Sequence, residues 1–67
     1  MIFVNGEPVD TVQPPTIRDV LVGRGIDPDT AGIAVAVDAE VARRGVWRTR
    51  TLDEGARVEI VRAVQGG

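Results

Sequence analysis

The sequence predicts an α+β domain, with one helix packed on one face of a mixed sheet of four to five strands. Three observations carry this. "MIFVNGEPV" sets Asn5-Gly6 between apolar runs, the strongest short signal for a β-hairpin. "PTIRDVL" places Ile17, Val20 and Leu21 at helical spacing behind a capping residue. "GIAVAV" and "ARVEIVRAV" follow the two-residue period of strands.

The first strand is expected over Met1–Asn5 and the second over Glu7–Val12. Pro14 and Pro15 end the second strand, because proline donates nothing to a ladder. Thr16 is the expected N-cap, and Asp19, three residues on, is the acid of a capping box. Gly23 or Gly25 closes the helix. "IDPDTAG" is a loop by composition. In the third strand Ile33, Val35 and Val37 share one face, and Ala34 and Ala36 the other. A tight turn at Asp38-Ala39 leads to a short strand near Glu40–Ala42. "RRGVWRTRTLDEG" is irregular, with a turn at Asp53-Glu54-Gly55. The last strand puts Val58 and Ile60 on the buried face. One helix and one sheet must bury each other, which gives the β-grasp, or ubiquitin-like, layout. One helix cannot cover both faces of the sheet. The far face then exposes Phe3 with Val61 or Ala63 nearby, and Phe3 and Val61 are the expected partner contacts there.

A chain of 67 residues is one small domain with a thin core. It holds no cysteine and no histidine, so disulfides and the usual zinc sites are excluded, and no metal is expected. The Cys–His and Ser–His–Asp constellations are excluded with them, which argues against an enzyme. A net charge of −2 argues against a nucleic-acid partner. No apolar run reaches the roughly 18 residues of a membrane helix, and no segment resembles a signal peptide. The expectation is a cytoplasmic monomer that binds no cofactor of its own. All eight basic residues are arginine, so no lysine side chain is present to receive an isopeptide link.

The ending "VQGG" stands out. Residues 64–67 are read as a flexible tail beyond the last strand. Four extended residues reach roughly 13 Å. Gly66 and Gly67 lack Cβ atoms, so the backbone there fits a narrow slot and tolerates positive φ. A terminal carboxylate on Gly67 is ionised at neutral pH. Such a tail can carry a carboxylate into the buried active site of another protein. Transfer of that carboxylate to the α-phosphate of ATP makes an acyl-adenylate. A sulfur nucleophile then leaves a thiocarboxylate, with no cysteine required on the carrier.

Nearly the whole chain resembles the ThiS-type sulfur carrier proteins of thiamine biosynthesis. The resemblance lies in "VNGEPV", "TIRDVL", "GIAVAVDAEVARRGVW" with Trp47 at the family's tryptophan, and "LDEGARVEIVRAVQGG". "DAE" stands where the family often has Asn-Gly-Glu, and "RRGVW" replaces a more acidic stretch. The resemblance implies a protein cosubstrate. An E1-like adenylyltransferase, using ATP and magnesium, would activate Gly67. Sulfur coming originally from cysteine through a desulfurase would form the thiocarboxylate, and thiazole synthase would receive it. Gly66 would be the slot-fitting residue, and Gln65 and Val64 partner contacts. Carriers for molybdopterin or cysteine synthesis share the tail, as do ubiquitin-like modifiers. A β-grasp binding module is the other alternative.

Arg43 to Arg50 packs four arginines around Trp47. The plain reading is a solvated loop in which Trp47 covers the core's edge. Nucleic-acid binding and docking to an acidic partner are the two other readings. Asp27, Asp29, Asp53 and Glu54 read as turn residues.

Overall fold

A computed structural model describes residues 1–63. Val64, Gln65, Gly66 and Gly67, including the expected flexible tail, lie outside the described residues. Strands β1 (Ile2–Val4), β2 (Glu7–Val9), β3 (Ile33–Val37), β4 (Glu40–Ala42) and β5 (Arg57–Arg62) form one mixed sheet in the order β2-β1-β5-β3-β4. The helix α1 (Ile17–Gly23) covers one face of it. This is the expected β-grasp.

The β1–β2 hairpin turns at Asn5 and Gly6, with φ of 49° and 85°. Both values are positive, as a two-residue hairpin matched to the sheet's twist needs. Both strands are shorter than the sequence suggests. β1 is Ile2–Val4, not Met1–Asn5, and β2 stops at Val9, not Val12. The ladder accounts for this. Ile2 pairs with Val9, so β2 has no partner beyond it. The chain then departs toward α1, and Val12 is 71% exposed. Pro8 is accepted within β2 because β2 is an edge strand.

The helix begins as its sequence dictates. The Thr16 hydroxyl accepts from the Asp19 amide (3.0 Å), and the Asp19 carboxylate accepts from the Thr16 amide (2.9 Å). The first-turn amides of Ile17 and Arg18 donate to the carbonyls of Arg50 and Trp47. These are donors that no helix can satisfy internally. Gly25, not Gly23, closes the helix. It has φ of 76°, its amide donates to Val22, and the Ile26 amide donates to Leu21, which is the Schellman arrangement.

β5 joins the two halves of the sheet. It runs parallel to β1, with Val4 beside Val58, and antiparallel to β3, with Val37 beside Val58. Val58 is therefore flanked by Val4 and Val37 at the centre of the core. Ile2, Val35, Ala42 and Ala56 extend this layer beneath Ile17, Val20 and Leu21. Trp47 goes further in than the edge-covering role expected of it. It is 3% exposed, and its indole Nε1–H donates to the Ala42 carbonyl at 2.9 Å. A 3₁₀ turn, Arg44–Val46, delivers it there. No helix among the described residues is long and apolar enough to cross a membrane.

Candidate partner face and base of the tail

The residues that could do work lie at one end and on one face of the sheet. β5 is the strand that leads to residue 64. Its last described tie is the Ala63 amide donating to the Gly32 carbonyl at 2.7 Å. Gly32 has φ of 82°, and a β-carbon there would stand 3.6 Å from that of Ala63. The loop carrying Gly32 is itself held. Arg44 donates to the carbonyls of Pro28 and Thr30 while its guanidinium lies 4.6 Å from the centre of the Trp47 ring. The exit of β5 is thus anchored to the core through Gly32, the 27–32 loop, Arg44 and Trp47.

The sheet face away from α1 is open. Alternation along the strands places Phe3, Arg57, Glu59, Val61, Ala34, Ala36 and Val41 on it. Phe3 is half-buried, with the Arg57 guanidinium 5.8 Å from its ring centre. Val61 is 59% exposed and pairs with Ala34. Phe3 and Val61 share the face but are not neighbours. Phe3 pairs with Arg57, and Val61 lies four residues further along β5, roughly 13 Å away. Ala63, two residues on, is further still. Val61 is flanked on β3 by Ala34, with Ala36 two residues along, and Val41, 78% exposed, stands one strand further out opposite Ala36. The sequence reading missed Val41. The signal was available, since a two-residue turn at Asp38-Ala39 fixes Ala36 opposite Val41.

The described residues contain no group of carboxylates placed to hold a metal ion. The four loop acids act as turn residues: the Asp27 carboxylate accepts from the Asp29 amide, and the Asp53 carbonyl from Ala56. Glu54 pairs with the Met1 ammonium at 2.6 Å. A groove of about 550 Å³ between β2 and α1 is lined by Val9, Val12 and Val20, with Asp10 and Asp19 at its rim.

The comparison with known families decides what this domain is related to. The ThiS family model matches residues 2–67. The chain belongs to the ThiS family. Its fold is shared with a crystal structure of the thiamine biosynthesis protein ThiS from Geobacter metallireducens, at 24% identity and a TM-score of 0.77. That match covers 98% of this chain and 97% of the other. A solution structure of a thiamine biosynthesis protein from the same organism matches at 25% identity and a TM-score of 0.77. It covers 98% of this ThiS-family chain and 86% of that one. No curated protein matches.

Proposed function

We propose that this ThiS-family chain is a sulfur carrier for the thiazole branch of thiamine synthesis, and that Gly67 carries the sulfur. The supporting observation is a β-grasp domain whose family match runs in sequence through Gly66 and Gly67. The Gly67 carboxylate attacks the α-phosphate of ATP in an E1-like adenylyltransferase, and pyrophosphate leaves. A hydrosulfide equivalent, supplied by a cysteine desulfurase or another donor, then displaces AMP and leaves the thiocarboxylate. Thiazole synthase takes the sulfur, and the carboxylate is regenerated. ATP and magnesium belong to the activating partner, and the carrier acts as a cosubstrate in the cytoplasm, where ATP is available.

The open face complements the tail. Phe3 and the Val61 patch give the partners apolar surface to cover, while Val64, Gln65 and Gly66 contact the partner along its access slot. Deleting Gly66 and Gly67 tests the reading: sulfur transfer to the thiazole product should vanish while the domain still folds. Retained transfer by the truncated chain contradicts it. A ladder of conjugates on other proteins, in place of free thiocarboxylate, would make the chain a protein modifier.

A further inference from the structure

The charges of this chain are segregated. Between Val41 and Leu52 there are four arginines and no acid. Two backbone bonds fold this segment against the start of α1. The Arg18 amide donates to Trp47 at 2.9 Å, and the Ile17 amide to Arg50 at 3.2 Å, which sets Arg18 beside Arg48 and Arg50. Arg44 is committed to the carbonyls of Pro28 and Thr30. Arg43 and Arg48 are exposed, and Arg18 and Arg50 half-exposed. Among the described residues the one ion pair is Met1–Glu54, so none of these guanidiniums meets a carboxylate. Outside that segment and Arg18, the chain carries three arginines against ten acids.

We infer that Arg18, Arg48 and Arg50 form a docking surface for an acidic patch on a partner protein. Guanidiniums take carboxylates in paired hydrogen bonds, which a planar fork suits. Outside the patch acids outnumber arginines, so the charge pattern orients the encounter as well as speeding it. Protein carboxylates fit better than nucleic acid. Trp47, the segment's one aromatic residue, is buried and offers no base a stacking platform. Phe3 lies on the face of the sheet away from α1. Placing the patch on the activating adenylyltransferase rests on the carrier reading.

Two measurements on the full chain test this. In the first, poly-L-glutamate and an unstructured RNA of equal length are titrated separately while the arginine Nε–H signals are followed. Poly-glutamate should shift Arg48 and Arg50. Its affinity should fall about tenfold or more between roughly 50 and 500 mM salt, and Arg48→Glu with Arg50→Glu should abolish it. RNA binding at least tenfold tighter than poly-glutamate, or a charge-reversed chain that binds like the parent, overturns the proposal. In the second, the charge-reversed chain should associate with the adenylyltransferase about tenfold more slowly at low salt, with dissociation unchanged. An unchanged association rate contradicts docking there. Failure of the carrier reading shows separately, as no thiocarboxylate on the parent chain, and the titration then judges the patch alone.

Discussion

Asn5 and Ile60 stand 55 positions apart in sequence, yet the Asn5 carboxamide bonds both backbone groups of Ile60. Its Oδ1 accepts from the Ile60 amide at 2.8 Å, and its Nδ2 donates to the Ile60 carbonyl at 3.4 Å. The Asn5 amide itself donates to Val58. A turn residue thereby continues the parallel β1–β5 ladder past the end of β1 and holds β5 toward the exit to the tail.

The two distances rank the two bonds. The 2.8 Å acceptor bond carries most of the effect, and the 3.4 Å donor bond is marginal. Asn5→Asp keeps the acceptor and tolerates a φ of 49°, so it should cost a few tenths of a kcal/mol. Asn5→Ala loses both bonds and should cost about 1–2 kcal/mol. Denaturant midpoints read the difference. An Asp variant as unstable as the Ala variant would show that the acceptor bond is not what matters.

Ala39 occupies a left-handed conformation, with φ of 71°, in the two-residue β3–β4 turn. Its β-carbon is strained there, whereas glycine is at ease. Ala39→Gly should stabilise the domain by about 1 kcal/mol after the larger entropy of its unfolded chain is counted. Thermal unfolding should rise by roughly 4–8 °C. A lower midpoint would contradict the strain.

Val58 and Gly66 should separate stability from function. Val58 is 1% exposed between Val4 and Val37, so Val58→Ala should cost about 1–3 kcal/mol. Gly66→Ala should leave the unfolding midpoint almost unchanged while crippling activation by the adenylyltransferase. A marked fall in midpoint for Gly66→Ala would make the tail structural.

Much of the fold is legible locally. Thr16 and Asp19 announce the helix start, Asn5-Gly6 and Asp38-Ala39 the two hairpins, and alternation the faces of β3 and β5. These signals come from a few adjacent residues, and local geometry satisfies them. What depended on distant register was not legible. The length of β2 follows from where β1 begins, which Glu7–Val12 does not encode. The gap between Phe3 and Val61 follows from the parallel register of β1 on β5. Trp47 reads as an edge residue in an arginine-rich segment until the 3₁₀ turn and the Ala42 carbonyl place its ring inside. On the candidate site, the sequence placed Phe3 and Val61 on the uncovered face but not their spacing, and it passed over Val41.

The most direct test is the intact mass of the chain after incubation with ATP, magnesium, a sulfide source and the host's adenylyltransferase. A carrier gains one sulfur in place of one oxygen, and fragmentation maps the exchange to Gly67. An unchanged mass, with the same adenylyltransferase demonstrably active on another carrier, would contradict the central claim that Gly67 carries sulfur.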